Sequence, residues 1–162
     1  MVIVGEDMEQ SNLMVRKATP KDMGLLYEMI NGLATYEKRP KDMTGSIKML
    51  KYFLFEKKIA TAVIAEIDNK PIGYAIYYPT FASFAAKMNA YIEDLFIKLE
   101  YRGKGFGKEL FHKLLEMIKE EGYSKLEWSC LDWNTPSIEF YKKLGAKEET
   151  GRVYFECDPK ND

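Results

Sequence analysis

Cysteine and histidine are scarce in this chain of 162 residues: Cys130 and Cys157 are the two cysteines and His112 the one histidine. Two cysteines cannot build a disulfide framework, and with one histidine they form no metal-ligand cluster, so no metal is expected. An excess of one charge is also missing. With 24 Lys and Arg against 25 Asp and Glu the formal net charge is −1, which removes the global basic field expected of a nucleic-acid binder. No stretch approaches the roughly 18 consecutive apolar residues that a membrane helix needs. The opening MVIVGEDMEQSN holds three acids before residue 10 and no basic flank, unlike a signal peptide. No repeat or low-complexity block divides the chain. The expectation is a soluble cytoplasmic protein without nucleic-acid or membrane partners, with a disordered extension over residues 1–12 and one domain over 13–162.

What is present is a mixed α/β pattern. Leu13–Ala18 alternates as a short strand. Thr19 is a helix cap with Pro20 at the first helical position and Asp22 in the first turn, and Met23, Leu26, Met29, Ile30 and Leu33 continue at helical spacing to about Thr35. Thr44 is placed to cap a second helix through Ile47, Leu50, Phe53 and Leu54. The runs ATAVIAEI and IGYAIYYPTF flank the turn Asp68-Asn69-Lys70-Pro71 and predict an antiparallel hairpin. Asn89–Ile97 is a third strand. A glycine-rich turn over 101–107 precedes a helix with Phe106, Leu110, Leu114, Met117 and Ile118 on one face, closed by Gly122. Lys125–Cys130 reads as a strand, Asn134–Gly145 as a helix and Val153–Cys157 as a last strand. The crossover through 105–122 requires at least one parallel pairing.

Two features stand out between Tyr91 and Lys108. Glu93 and Asp94 are neighbours in an otherwise apolar strand, where alternation sends one acid to each face. A buried carboxylate costs several kcal/mol unless paired, so the pair is either a solvated strand end or a device. Arg102-Gly103-Lys104-Gly105-Phe106-Gly107 then joins that strand to a helix. Its three glycines allow close backbone approach, the helix start presents unpaired N–H groups, and Arg102, Lys104 and Lys108 add charge. Such a turn suits a phosphate or pyrophosphate. It is not a nucleotide P-loop, because Glu109 follows Lys108, and it is not the dinucleotide fingerprint, because Lys108 stands where the third glycine belongs.

Arg102-x-x-Gly105-x-Gly107 after an apolar strand resembles the acetyl-CoA pyrophosphate loop of the GNAT N-acetyltransferase superfamily. Asn134, Pro136 and Tyr141 in the next helix match the superfamily's second half. YIEDLFIKLEYRGKGFG, CLDWNTPSIEFYKKLGA and the upstream Leu33-Ala34-Thr35-Tyr36-Glu37 look like the spermidine/spermine and thialysine N-acetyltransferase branch. The resemblance runs from about residue 13 to 157. It implies a central mixed, mostly antiparallel sheet with helices on both faces and a splayed parallel strand pair holding acetyl-CoA. It also implies a homodimer paired through C-terminal strands.

Acetyl transfer requires the donor to be held, the acyl oxygen stabilised, the amine deprotonated and the thiolate protonated. By resemblance, backbone groups of Leu95, Phe96 and Ile97 hold the pantetheine arm and supply the donor to the acyl oxygen, worth about 3–4 kcal/mol. The turn from Arg102 to Lys108 takes the pyrophosphate. Asn134, Thr135, Pro136 and Ser137 complete the coenzyme site. Tyr141 is the general acid: a phenol of pKa about 10 keeps its proton at pH 7 and suits a thiolate of about 8.5. An alkyl ammonium of pKa about 10.4 leaves only about one molecule in a thousand nucleophilic at pH 7. Glu93, acting through a water, is the candidate base. Tyr36, Glu37 and Asp94 would bind the acceptor, with Glu127, Trp128 and Ser129 at the matching substrate-side stretch. The bland alternatives are a core aromatic for Tyr141 and a helix cap for Asn134.

Ala82 and Phe84 stand where polyamine-acetylating relatives carry an acid and a tryptophan, which weakens the case for a long polycation. Tyr36-Glu37-Lys38 and Leu131-Asp132-Trp133-Asn134 lean toward thialysine-type relatives, so the expected substrate is a small amine, polyamine or lysine-like. His112 is read as a solvated helix residue and Cys130 as buried packing. Peptide N-acetylation and a non-catalytic acyl-CoA-binding module are the competing functions.

Overall fold

The structure, a computed structural model, describes residues 11–159. Most of the expected N-terminal extension, residues 1–10, lies outside the described residues. The chain divides into two compact units, one ending at Ser129 and one beginning at Cys130.

The first unit is built on a five-stranded sheet: β1 (Met14–Lys17), β2 (Thr61–Ile67), β3 (Lys70–Ala82), β4 (Lys87–Ile97) and β5 (Leu126–Trp128). They lie side by side in chain order. The first three pairings are antiparallel and β4–β5 is parallel. The mixed sheet expected from the sequence is therefore present. The β2–β3 turn is tighter than the four residues expected: Asp68 and Asn69 adopt φ of +48° and +61°, and Lys70 already belongs to β3. Asn and Asp tolerate that left-handed region, and the resulting two-residue turn matches the twist of the strands it joins.

Helices cover both faces. α1 (Met23–Tyr36) buries Met23, Leu26 and Met29 against Ala62, Ile64, Tyr74, Ile76 and Phe96. Its last turns lie so close to the sheet that a Cβ on Gly32 would come within 3.0 Å of the Phe96 ring. α3 (Phe106–Glu120) turns Leu110, Leu114 and Ile118 inward at four-residue spacing on the opposite face, each worth about 1.5–3 kcal/mol when fully buried. Gly122, at φ +85°, ends α3, and the N–H groups of Gly122 and Tyr123 donate to the Lys119 and Ile118 carbonyls.

The second helix, α2 (Ile47–Lys51), is capped by Ser46, not Thr44: the Ser46 hydroxyl accepts from the Met49 N–H. The expectation of Thr44 is thus corrected to a residue of the same capping type two positions on. The second unit holds α4 (Thr135–Lys143), which starts at the expected place. The expected strand over Val153–Cys157 does not form. Its unit supplies no strand to pair with among the described residues, and a lone strand leaves its N–H and C=O groups without a ladder.

Candidate active site

β4 carries a bulge where the two acids sit. Ile76 pairs with Asp94 and Tyr77 with Ile92, so Glu93 is the extra residue opposite no β3 partner. A bulge resets the alternation of its strand. Upstream of it, Tyr91 faces α1 with Tyr78; downstream, Asp94 and Phe96 face α1 with Tyr74. Glu93 and Asp94 therefore share one face, and the expectation of one acid on each face is overturned. The hydrogen bonds report it directly: Tyr78 Oη donates to Glu93 at 3.2 Å and Tyr74 Oη to Asp94 at 3.0 Å, from two tyrosines four apart on one side of β3.

Glu37, the residue that caps the C-terminus of α1, adds its charge to this face. Burial pushes the Asp94 carboxyl up to about 6, and the charges of Glu93 and Glu37 push the same way against the Tyr74 hydrogen bond. Burial raises Glu37 too, with Arg39 opposing and Glu93 reinforcing. Tyr78 is driven to about 12 by burial and then by Glu93, so its hydroxyl keeps its proton and can only donate to that carboxylate. Glu93 itself is exposed. The polar row continues along the sheet. Tyr78 stacks on Tyr91 at 5.4 Å, Tyr91 Oη bonds Ser129 at 2.8 Å, and Asn89 donates to Glu127 at 3.3 Å.

Glu127 and Ser129 thus fall on the acid face, whereas Trp128 turns the other way and meets Phe111 of α3 edge-on at 5.3 Å. Its place as an acceptor contact is corrected by simple alternation in β5. Tyr74, Tyr78 and Tyr91 were missed, although the even spacing of the first two in β3 was readable.

The parallel ladder ends at Ile92–Trp128, while β4 runs on through Ile97. Leu95, Phe96 and Ile97 consequently have no β5 partner, the arrangement expected of a splayed pair. The turn that follows has Gly103 at φ +73° and Gly105 at +84°, conformations that a side chain strains. A Cβ at either would meet nothing within 4 Å, so open space lies over the backbone where a ligand would approach. Gly105 is the residue before α3, and the N–H groups of Phe106, Gly107 and Lys108 fall in the first helical turn, where none has an intrahelical acceptor. Lys104 and Lys108 are exposed beside them. Backbone donors, a helix N-terminus and two ammonium groups fit a pyrophosphate. Arg102 behaves differently. Its Nε donates to the Ile97 carbonyl at 2.8 Å, and its guanidinium lies 4.3 Å from the Tyr36 ring centre and 5.3 Å from that of Phe96.

In the second unit Asn134 is buried and caps α4, its side chain accepting from the Ser137 N–H, with Pro136 in the first turn. Thr135 and Pro136 are exposed, and Ser137 and Tyr141 half-buried. Tyr141 follows Asn134 by seven residues, about two helical turns, and contacts Phe140 edge-on. Cys130, expected in packing, is half-buried, and Cys157 is exposed. His112 is exposed on α3, as anticipated. Among the described residues no three His, Cys, Asp or Glu side chains converge as a metal site requires, and no helix is long and apolar enough to cross a membrane.

Comparison with known proteins agrees with this geometry. The family model of the acetyltransferase (GNAT) family matches residues 26–146. Thialysine N-epsilon-acetyltransferase of Bos taurus is 32% identical, over 90% of this chain and 90% of that protein. L-ornithine N5-acetyltransferase NATA1 of Arabidopsis thaliana is 40% identical, over 82% of this chain and 78% of its own. A solved structure of a possible acetyltransferase from Clostridium difficile 630 superposes with a TM-score of 0.80 at 18% identity, over 91% of this chain and 99% of that one, and shares the fold. The chain belongs to the GNAT family and is an acetyltransferase that modifies an amine.

Proposed function

We propose that the protein acetylates the side-chain amine of a small lysine- or ornithine-like amino acid, or a short diamine. Acetyl-CoA, when bound, supplies the activated acyl group. The observation that carries this reading is the bulge at Glu93, which gathers Glu93, Asp94 and Glu37 on the face capped by α1. Three carboxylates there favour a cation and disfavour the open, neutral groove that a peptide substrate needs. The relatives named for thialysine and for ornithine support an acceptor that carries its amine on an amino-acid side chain.

Each residue then has one task. The N–H groups of Phe106, Gly107 and Lys108, with Lys104 and Lys108, hold the pyrophosphate. Unpaired backbone of Leu95–Ile97 aligns the pantetheine arm like an added strand, and one of its N–H groups donates to the negative charge growing on the acyl oxygen. The Ile97 carbonyl is already taken by Arg102, so the N–H groups and the other carbonyls of the stretch do this work. Glu93, exposed and held by Tyr78, removes the ammonium proton through a water. Asp94 and Glu37 bind the remaining positive charge. Tyr141 returns a proton to the departing sulfur, and Asn134 with Thr135, Pro136 and Ser137 supports the coenzyme from α4. The protein works as a cytoplasmic homodimer in this reading. The apolar Val153, Tyr154 and Phe155, all more than three-quarters exposed, support self-association.

The test is thiol release from acetyl-CoA with thialysine, ornithine, lysine, putrescine, spermidine and a basic peptide. The amino acids and putrescine should outpace spermidine and the peptide. Silence on every amine would overturn the reading, and peptide-only turnover would move the acceptor to protein. Light scattering decides the dimer.

A further inference from the structure

The side chain of Arg102 is committed to the protein in a way that a pyrophosphate ligand would not be. Its Nε bonds the last carbonyl of β4, Ile97, and its guanidinium plane lies over Tyr36, the final residue of α1, and near Phe96. Phe96 in turn fills the space above Gly32, one turn earlier on the same helix. Ile30 and Leu33 of α1 also pack against the core that holds Phe96. A cavity of about 220 Å³, lined by Glu28, Met29, Gly32, Phe96, Lys98 and Leu99 among others, opens between α1 and the end of β4. The last residue of α1 is tied to the end of the strand through the Phe96–Arg102–Tyr36 stack. Its next residue is Glu37, one of the three acids of the acceptor face. Its N–H, with those of Lys38 and Arg39, closes the helix by donating to the carbonyls of Leu33, Thr35 and Ala34.

We propose that Arg102 is a positioning residue that clamps the Tyr36–Glu37 end of α1 to β4 and so sets the acceptor site, leaving the pyrophosphate to the backbone and lysines of the turn. The inference deepens the proposed amine acetylation and rests on that reading for its kinetic consequence. Because Arg102 begins the glycine turn, ordering of that turn also steadies the helix end that carries Glu37. Donor and acceptor binding are thereby linked through one side chain.

The experiment compares Arg102→Lys, Tyr36→Leu, Tyr36→Phe and the Arg102→Lys/Tyr36→Leu double variant by three readouts: amide hydrogen exchange over residues 33–39, titration with CoA, and KM for the amine. Arg102→Lys keeps the charge and loses the planar stack and the Nε bond. A cation–π stack with a charge-assisted hydrogen bond supports about a tenfold effect, so exchange over 33–39 and amine KM should each rise about tenfold. CoA affinity should stay within about threefold, because backbone donors hold the pyrophosphate. Tyr36→Leu should reproduce this, the double variant should be no worse than either single change, and Tyr36→Phe, which keeps the ring, should retain wild-type exchange. A CoA affinity that falls about tenfold in Arg102→Lys while exchange over 33–39 is unchanged would overturn the proposal in favour of a direct pyrophosphate contact. Wild-type exchange in both Arg102→Lys and Tyr36→Leu would overturn it as well. Absence of turnover on any amine would end the functional reading instead, and exchange and CoA titration would still decide the clamp.

Discussion

Two clusters of carboxylates in the first unit are built in opposite ways. At the start of the sheet, Arg16 faces Asp22 and Glu66. Its Nη1 and Nη2 reach the two Asp22 oxygens at 2.8 and 2.9 Å, and Nη2 reaches Glu66 at 2.9 Å. Asp22 also accepts the Thr19 N–H at 2.7 Å, and the Arg16 hydrogen bond, the largest influence, holds its carboxyl well below the usual range. On the α1 face, Glu93 and Asp94 are answered by tyrosine hydroxyls, and Asp94 is pushed up to about 6. The first cluster sets a guanidinium between its two carboxylates and ties β1, β2 and the entry to α1 together. The second has neutral hydroxyls as the hydrogen-bond donors to Glu93 and Asp94, which costs stability and, in the proposed function, favours a cation. A fold keeps such a cost where binding returns it.

The sharpest way to break the contrast is Glu93→Gln. Turnover should fall about 10²-fold or more while Tm moves little, since Glu93 is exposed; steady-state kinetics beside a thermal melt check both. An unchanged rate would remove Glu93 as the base. Tyr141→Phe should lower turnover about 10²-fold with CoA affinity almost intact, read by thiol release and calorimetry. Asp94→Asn should weaken acceptor binding, raising amine KM about tenfold, while raising Tm at pH 7 by about 3 °C. The folded protein holds the Asp94 proton to higher pH than the unfolded chain does. The wild type therefore loses stability as pH rises from the ordinary value of 3.8 to about 6, and the advantage of the variant should appear across that window and vanish below it. Asp22→Asn should do the reverse with the smallest effect, costing about 1–2 kcal/mol at pH 7 without altering kcat/KM. Asp22 stabilises the fold while ionised, so that loss should shrink as pH falls below about 4 in urea melts.

Local signals were readable wherever one residue type sets one backbone state. Thr19-Pro20-x-Asp22 gave the entry to α1, Asp68-Asn69 the hairpin, and Gly122 the end of α3. The backbone of the glycine turn was readable because its signals lie in consecutive residues, with Gly103 and Gly105 in the left-handed region before α3. The side of β4 that each acid faces was not, because counting by twos assumes an unbroken strand, and nothing in Tyr91-Ile92-Glu93-Asp94 announces the extra residue. The packing of Arg102 was hidden for another reason. A basic residue in a glycine turn reads as a phosphate contact, and only the packing shows that Tyr36, 66 positions earlier, lies against it. The Val153–Cys157 pattern was a fair strand pattern without a local partner, and pairing is a tertiary fact.

The bulge at Glu93 acts on β4 as a dislocation acts on a crystal row. On one side of it the odd-numbered side chains look toward α1, and on the other the even-numbered ones do. Removing that single residue would let Asp94 follow Ile92 in plain alternation, so Tyr91, Asp94 and Phe96 would keep their present face and the pair of adjacent acids on it would be lost. The two neighbouring acids thus owe their shared face to a count along the chain as much as to the chemistry of either residue.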